Sequence, residues 1–325
     1  MWPRTIIGNP KHPLPLDVAR GAGLTYRTQA VFEPGQGRLA HSYNNYEMVT
    51  DLTTGDRPIL RVGIGGFGAI GASVGRRLDK GIPGLELAAV SARDIGKAQG
   101  RMNDYRRQVP VVALGELADH ADIVIECAPA AVFTQVAEPA LRKGLIFMPV
   151  SVGALLIHAQ MIDLAAERGA RIVVPTGALI GLDAVRAAAE GNIHSVRMVT
   201  RKPLRGLAGA PYLEEHGISL DDVRKPLRLF EGSARDGAKG FPANLNVAVA
   251  LSLAGVGPDK TRLEIWADPT VTRNTHRIEV DADSASFSMT IENIPSEENP
   301  RTGRITALSV IAALRGLAAP LTVGS

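Results

Sequence analysis

The stretch RVGIGGFGAIGASVGRRL, residues 61–78, establishes the fold class, because a short apolar run leads through a G-x-G-x-x-G pattern into a helical one. Between a strand and a helix, the first glycine permits a tight turn, the second lets backbone approach a pyrophosphate, and the third allows close helix packing. The helix N-terminus adds N–H groups and the positive end of its dipole. The alternative is that the glycines only make a tight turn. The predicted dinucleotide-binding residues are Gly66, Gly68, Ala69, Ile70 and Gly71.

The choice between NAD and NADP depends on the end of the second strand. In proteins that bind NAD, an acidic residue at the end of this strand, about twenty positions after the glycine pattern, binds the adenine ribose. Here the strand LELAAVSA, residues 85–92, is followed by Arg93 and Asp94. Arg93 suits a 2'-phosphate, so NADP is at least tolerated, whereas Asp94 leaves NAD open. The alternative for Arg93 is an ordinary solvent-exposed residue at a helix start.

Residues 59–178 alternate between short apolar runs and amphipathic segments that end in glycine. This alternation is typical of parallel strands that crossover helices bury on both faces. We therefore predict an α/β fold with an N-terminal Rossmann-type, doubly wound parallel sheet. The predicted strands are ILRVGIG (59–65), LELAAVSA (85–92), ADIVIECA (121–128), LIFMPVSV (145–152) and RIVVPTG (171–177); the helices are AIGASVGRRLDKG (69–81), AAVFTQVAEPALRKG (130–144) and HAQMIDLAAERG (158–169).

The sequence after residue 177 predicts a second domain of the α+β class. Its predicted helices are LIGLDAVRAAAEGN (179–192), SARDGAKGFPANLNVAVALSLAG (233–255) and RITALSVIAALRGLA (304–318); its strands are SVRMVTRKP (195–203), TRLEIWAD (261–268), THRIEVDA (275–282) and ASFSMTIENI (285–294). The alternation in the last three strands favours an antiparallel or mixed sheet with one solvated face. We predict a dinucleotide-binding domain over residues 59–178, a catalytic domain over 179–298, and a C-terminal helix within 299–325 that returns to the first domain.

Residues 1–58 differ in composition, with six of the 21 prolines and three of the five tyrosines and no sustained period of 2 or 3.6. We predict a loosely ordered extension. Two explanations stay open: a functional arm that covers a neighbouring surface or subunit, and translation from an upstream start, with Met48 as the internal alternative.

Composition limits the partners. The 36 basic and 33 acidic residues of the 325 are scattered, without the dense basic stripe that duplex binding requires, so nucleic acid is not an expected partner. One cysteine, Cys127, excludes an internal disulfide framework, and prolines and charges interrupt the N-terminus before a signal sequence forms. Uncharged runs at 145–162 and 241–258 contain polar residues and proline, so no membrane partner is expected. We expect a cytoplasmic protein, and the sequence is compatible with a homo-oligomer.

Five stretches, in this order, resemble the L-aspartate dehydrogenase family: SVGAL (151–155), GALIGLDAV (177–185), RKP (201–203), FPANLNVAVALSLAG (241–255) and NTHRI (274–278). The resemblance extends from about residue 61 to the C-terminus. It implies NAD(P)-dependent oxidative deamination of L-aspartate through iminoaspartate, which hydrolyses to oxaloacetate and ammonia or feeds quinolinate formation in NAD biosynthesis.

The resemblance also implies roles for single residues. The histidine of the family's N-x-H motif, here His276, is implied to be catalytic, and Ala178 and Asn246 are implied to contact the cofactor. The family's tail motif, Asn-Pro-Lys-Thr-Ser, has arginine and glycine at Arg301 and Gly303 of this chain. These two departures concern the exact substrate more than the reaction class.

The chemistry of the residues agrees with these roles. No hydride leaves the α-carbon of an amino acid until its ammonium loses a proton, so a base that works near neutral pH is needed, and histidine is that side chain. The same imidazole can activate water to attack the imine. A dicarboxylate also needs a cation. Arg201 and Lys202 are candidates on opposite faces of one strand; we favour Lys202, and a solvated strand end is the alternative for each.

Polar residues beside apolar segments complete the predicted site. Asn246 lies in an otherwise apolar predicted helix, where a buried amide must find partners; a structural hydrogen bond is its alternative. Asn299 and Thr302 are predicted to bind substrate, a role compatible with capping the last helix. The histidines have no metal-ligand spacing, so no metal site is predicted.

The sequence therefore predicts an NAD(P)-dependent amino-acid dehydrogenase with His276 as acid and base and a small-molecule substrate, L-aspartate. Two alternatives stay open. One is a reductase or dehydrogenase of the same architecture that acts on another imine or carbonyl compound, and the other is a dinucleotide-sensing protein without turnover.

Overall fold

The structure is a computed structural model that describes residues 58–242, 245–296, 298 and 302–324. Residues 1–57 of the predicted N-terminal extension lie outside the described residues, as do Asn244, Asn299 and Arg301. The described part of the chain forms two five-stranded sheets with helices packed against them.

The first sheet is parallel, with the strand order β2-β1-β3-β4-β5. Its strands are β1 (Leu60–Gly65), β2 (Leu85–Ser91), β3 (Ile123–Glu126), β4 (Ile146–Pro149) and β5 (Arg171–Ile172); the helices among them are α1 (Ala69–Asp79), α2 (Ile95–Arg101), α3 (Leu117–His120), α4 (Phe133–Arg142), α5 (Ala154–Ile157) and α6 (Gln160–Arg168). The predicted Rossmann-type sheet is confirmed. Because the strand order reverses between β1 and β3, the loops after these two strands meet at the edge where open α/β sheets bind ligands.

The second sheet is mixed, with the order β10-β9-β6-β8-β7. Its strands are β6 (Ile193–Lys202), β7 (Leu227–Ser233), β8 (Arg262–Ala267), β9 (Asn274–Ala282) and β10 (Ser286–Asn293); the accompanying helices are α7 (Leu182–Ala189), α8 (Pro211–Glu215), α9 (Ala234–Gly240), α10 (Asn246–Ala254) and α11 (Arg304–Ala318). The predicted α+β class is confirmed. The three last strands are not simple neighbours, however, because β6 lies between β8 and β9 and pairs in parallel with β8.

Two sequence predictions in this half are wrong. Strand β7 and the short helix α8 lie between the predicted strand 195–203 and the predicted helix 233–255, where no element was expected, and β7 pairs antiparallel with β8. The single helix expected over 233–255 is two helices, α9 and α10. Pro242 follows Phe241, whose backbone (φ −133°, ψ 52°) is not helical, and proline both lacks an N–H donor and disfavours a helical residue before it.

Both faces of the first sheet are covered. Val124 and Phe147 belong to an apolar cluster that continues into the core of the second sheet, through Val196 and Met198. On the other face, α11 packs with α1 and β1 in a second cluster. None of the described helices is both long and apolar enough to cross a membrane.

Candidate active site

The glycine loop after β1 has the geometry of a diphosphate cradle. Gly66 has φ +94°, and a Cβ there would lie 2.6 Å from the backbone of Cys127. A Cβ on Gly71 would lie 2.1 Å from the carbonyl oxygen of Gly66, so both positions need glycine for the fold itself. Gly68, the N-cap of α1, is different, because its Cβ would meet no heavy atom within 4 Å. The space beside Gly68, in front of the helix N-terminus, fits a bound diphosphate.

At the end of β2, Asp94 and Arg93 have different surroundings. Asp94 is the N-cap of α2, and its Oδ1 accepts a hydrogen bond from the backbone N–H of Lys97 at 2.9 Å. Arg93 is exposed. Capping therefore accounts for Asp94, whereas the role of Arg93 toward a 2'-phosphate stays a prediction.

Residues from both halves of the described chain line one cleft. Six of the predicted site residues lie there: Ile70, Ala178, Lys202, Asn246, His276 and Thr302. Val150, Val152, Asn274, Asn293 and Gly303 also contribute to the lining. The remaining described cofactor candidates, Gly66, Gly68, Ala69, Gly71 and Arg93, are not among the residues that line this cleft. The cleft therefore brings together six of the predicted site residues, whereas Gly66, Gly68 and Gly71 lie outside its lining.

The buried polar residues of the cleft lie on the same face of the second sheet as its apolar core residues. Along β6 the buried positions run from Val196 and Met198 to Thr200 and Lys202. Since alternate residues of a strand share a face, the stripe that packs the core becomes polar where it reaches the cleft. His276 has the equivalent place on β9, opposite Thr200.

His276 is buried, with 3% of its surface exposed. Its Nδ1 lies 3.2 Å from the hydroxyl oxygen of Thr200. Burial, together with the nearby charge of Lys202, lowers the pKa of His276 from 6.5 to about 3. The imidazole is therefore neutral at neutral pH and able to accept a proton, although its pKa is far below the unperturbed value used in the sequence argument.

Lys202 and Arg201 have the opposite orientations that strand alternation predicts. Lys202 lines the cleft with 5% of its surface exposed, and burial lowers its pKa to about 8, so it is mostly protonated at neutral pH. The guanidinium of Arg201 instead pairs with Asp268 at 3.1 Å and lies 4.7 Å above the ring of Trp266. Only Lys202 of this pair contributes to the lining of the cleft.

Asn246 begins α10 and connects it to the segment that follows β4, at the N-cap of α5. Its Oδ1 accepts a hydrogen bond from the backbone N–H of Gly153 at 2.9 Å. This contact orients the amide, because Oδ1 accepts the hydrogen bond and the NH₂ group is the end of the side chain that can donate. Thr302 also lines the cleft, but it does not cap α11, because Gly303 is the N-cap of that helix.

Sequence reasoning missed a buried carboxylate beside the cleft. Glu126, at the end of β3, is fully buried and accepts hydrogen bonds from the backbone N–H and the hydroxyl of Ser151, at 3.0 and 3.1 Å. Desolvation raises its pKa to about 7. Ser151 lies between Val150 and Val152, which line the cleft. The available signal was a charged residue inside the apolar run ADIVIECA.

Two further residues near the predicted base were also missed. Thr200 is fully buried and contacts His276, and alternation with Lys202 along β6 would have placed it on the same face. Asn293 ends β10, lines the cleft, and donates a hydrogen bond from Nδ2 to the carbonyl oxygen of Ala178 at 3.0 Å. Its signal was a polar residue two positions after Ile291 in an alternating strand.

Comparison with known proteins identifies the family of this chain. Residues 183–317 match the family described as "Aspartate dehydrogenase, C-terminal", and residues 66–175 match "Homoserine dehydrogenase, NAD binding domain". The L-aspartate dehydrogenase of Bradyrhizobium diazoefficiens is 58% identical over 280 residues, which cover 86% of this chain and 99% of that protein. This chain belongs to the L-aspartate dehydrogenase family.

Other members of the L-aspartate dehydrogenase family show the same coverage. L-aspartate dehydrogenase 3 of Bordetella bronchiseptica is 56% identical over 83% of this chain and 99% of its own length. The crystal structure of aspartate dehydrogenase from Thermotoga maritima superposes with a TM-score of 0.60 at 25% identity, covering 82% of this chain and 99% of that one. These findings confirm the predictions of an amino-acid dehydrogenase and of NAD or NADP as its cofactor.

Proposed function

We propose that this protein oxidises L-aspartate with NAD(P)⁺ to iminoaspartate, which then hydrolyses to oxaloacetate and ammonia. Relatives that are 58% and 56% identical are named L-aspartate dehydrogenases. The observation that carries the proposal for this chain is a neutral imidazole and a buried ammonium in the same cleft, those of His276 and Lys202. When bound, the oxidised nicotinamide supplies the hydride acceptor.

His276 acts as the base. The α-ammonium of the substrate must lose a proton before the α-carbon can release a hydride, and the neutral imidazole accepts that proton. With Nδ1 beside Thr200, the proton goes to the other ring nitrogen, Nε2. The carboxylates of a bound substrate raise the pKa of His276, because negative charge stabilises the imidazolium. Once that proton has passed to solvent, the neutral ring accepts a second proton from the water that attacks the imine carbon.

Lys202 binds a substrate carboxylate. An anionic substrate in a buried site needs a cation, because an unpaired carboxylate removed from water is costly. Burial lowers the pKa of Lys202 to about 8, and a bound carboxylate raises that pKa by pairing with the ammonium. The dicarboxylate and the lysine thus each favour the charged form of the other.

Asn246 and Ala178 orient the cofactor. The amide of Asn246 is fixed by Gly153, and the carbonyl of Ala178 is held by Asn293. Both residues line the same cleft as Ile70 of α1 and His276. This shared lining supports the proposed contacts of Asn246 and Ala178 with the cofactor.

The proposal is tested with purified full-length chain and a panel of substrates. Reduction of NAD⁺ and NADP⁺ is followed by nicotinamide absorbance with L-aspartate, D-aspartate, L-asparagine, L-glutamate and L-alanine. The expected result is the highest kcat/KM for L-aspartate, with oxaloacetate and ammonia as products. A higher kcat/KM for another amino acid, or no turnover of L-aspartate, would refute the proposal.

A further inference from the structure

Asn293 carries a buried polar atom whose partner is unaccounted for. The residue lies at the end of β10 with 4% of its surface exposed, and it lines the cleft. Its Oδ1 is buried and has no hydrogen-bond partner among the described residues. A buried amide oxygen without a donor costs free energy, so such atoms in native proteins call for an explanation.

The orientation of this amide follows from its other contact. The Nδ2 group of Asn293 lies 3.0 Å from the carbonyl oxygen of Ala178, and only the NH₂ end of an amide can donate to a carbonyl. Oδ1 therefore points away from Ala178. It lies beside Gly303, where a Cβ would come within 3.1 Å of it. The absence of a side chain at Gly303 keeps space open next to the oxygen.

Sheet register places Asn293 near the proposed base. Asn293 is opposite Asn274, and Ile291 is opposite His276, in the pairing of β10 with β9. Asn293 and His276 are therefore diagonal neighbours on one face, with Cβ atoms roughly 7–8 Å apart in ordinary geometry. Lys202 lies on the same face, two residues after Thr200, which is opposite His276.

We propose that Oδ1 of Asn293 binds the α-ammonium group of the amino-acid substrate. The inference rests on the proposed function, and it adds a substrate contact to it. An amide oxygen only accepts hydrogen bonds, and at neutral pH the carboxylates of aspartate have no hydrogen to donate. The ammonium has three N–H donors, so one can bind Asn293 while another faces His276.

This contact explains how the substrate is oriented. Lys202 attracts a carboxylate, but a lysine ammonium is a point charge that does not fix a ligand's orientation by itself. A second contact at the nitrogen, from a side chain held by Ala178, directs one N–H toward His276. Asn293 thus selects a substrate with a hydrogen-bond donor on its α-carbon.

The carboxamide NH₂ of the nicotinamide is the other donor that could reach this oxygen. The two sources are distinguished by comparing L-aspartate with succinate, a dicarboxylate of the same length without an amino group. Succinate competes for the carboxylate contacts alone, whereas direct titration with NADH or NADPH reports the cofactor contacts alone.

The test measures three constants in the wild type and in Asn293→Ala: KM for L-aspartate, the inhibition constant of succinate, and Kd for NAD(P)H. We expect KM to rise on the order of 10-fold or more, as for the loss of a hydrogen bond to a charged group, while the other two constants stay unchanged. An unchanged KM would overturn the inference. A higher Kd for NAD(P)H would assign the oxygen to the nicotinamide. Equal increases in the KM for L-aspartate and in the inhibition constant of succinate would show a structural role. Either outcome would also overturn the inference.

Two further variants secure the test. Gly303→Ala would place a methyl group 3.1 Å from Oδ1, and it should raise the KM for L-aspartate in the same selective way. If Asn293→Ala does not fold, this variant alone decides the outcome. Asn192→Ala is the matched control and should change none of the constants. Asn192 is exposed and precedes the first residue of β6, whereas Lys202 is the last residue of that strand. If the wild type itself does not oxidise L-aspartate, the proposed function fails; if it does and the selective effect is absent, only this inference fails.

Discussion

The hydroxyl oxygen of Thr200 lies 3.2 Å from Nδ1 of His276, across the pairing of β6 with β9. For His276 to accept a proton at Nε2, Nδ1 must carry the ring hydrogen and donate it to Thr200. In that tautomer the Thr200 hydroxyl accepts the hydrogen bond from Nδ1, which makes Thr200 a positioning residue for the proposed base.

Removal of this hydroxyl should slow catalysis without weakening cofactor binding. Thr200→Val keeps the buried shape but loses the acceptor, so we expect kcat to fall on the order of 10-fold, the cost of one buried hydrogen bond. Thr200→Ser should restore kcat, and Kd for NAD(P)H should stay constant in both variants. Equal kcat values for the valine and serine variants would contradict this role.

Gly68 and Gly71 should respond differently to alanine. The Gly68 position has open space and an ordinary φ of −81°, so Gly68→Ala should fold with an unchanged Tm while its methyl group obstructs the diphosphate. We expect Kd for NAD(P)H to rise on the order of 10-fold or more, the loss of about one good contact. Gly71→Ala should lower Tm, because its Cβ would lie 2.1 Å from the carbonyl oxygen of Gly66.

Calorimetric titration and thermal denaturation of the two variants check these outcomes. Gly100→Ala is the matched control for Gly68, because a Cβ at Gly100 also meets no heavy atom within 4 Å. Cofactor affinity equal to that of the control would show that the diphosphate does not approach Gly68.

Binding of dicarboxylates should weaken above the pKa of Lys202. Burial lowers this pKa to about 8, and the ammonium is charged below that value, so affinity should decrease as the pH rises through it. Bound anion shifts the transition upward, because it stabilises the charged form. The inhibition constant of succinate, which has no amine to titrate, is the appropriate measurement.

Lys202→Met should raise the succinate inhibition constant at neutral pH and remove its dependence on pH in this range. Lys260→Met, at an exposed position, serves as the control and should behave as the wild type does. A succinate constant that is independent of pH in the wild type would exclude Lys202 as the carboxylate partner.

Glu126 should make stability decrease as the pH rises toward neutrality. Its pKa is raised from 4.5 to about 7 by burial, so between these values the folded state keeps a proton that the unfolded state has lost. The free energy of unfolding then falls with rising pH across this window and becomes flat above it. Glu126→Gln resembles the protonated form and should remove this contribution.

The free energy of unfolding, measured by urea denaturation at about pH 5 and about pH 8, checks the prediction. Most of the pH range in which Glu126 affects stability lies between these two values. Glu167→Gln, at an exposed position, is the matched control. The same difference between the two pH values in Glu126→Gln and in the wild type would show that Glu126 does not hold a proton in the folded protein.

The first sheet was predictable because parallel strands buried on both faces are continuous apolar runs, and glycines end the helices between them. The pairing of β6 with β8 could not be predicted, because it joins segments about sixty residues apart, and no local sequence pattern specifies long-range pairing. Strand β7 escaped prediction because charged residues, Arg228 and Glu231, interrupt its apolar positions. The break between α9 and α10 was visible in Pro242.

The candidate site was predictable where a local pattern or a motif marks a residue. His276 follows from the N-x-H motif, and Lys202 from alternation along its strand. Thr200 and Asn293 are different, because their roles depend on a hydroxyl 3.2 Å from an imidazole and on an amide oxygen without a donor. Such properties arise only when separate strands are brought together.

The most direct test of the central claim is the rate of NAD(P)⁺ reduction by L-aspartate in His276→Ala, with cofactor binding measured on the same sample. His194→Ala, at an exposed position on the same sheet, is the matched control. We predict a loss of kcat of at least about 100-fold, in the range of general-base catalysis, with unchanged Kd for NAD(P)H and full activity in the control. Retention of wild-type kcat by His276→Ala would contradict the account.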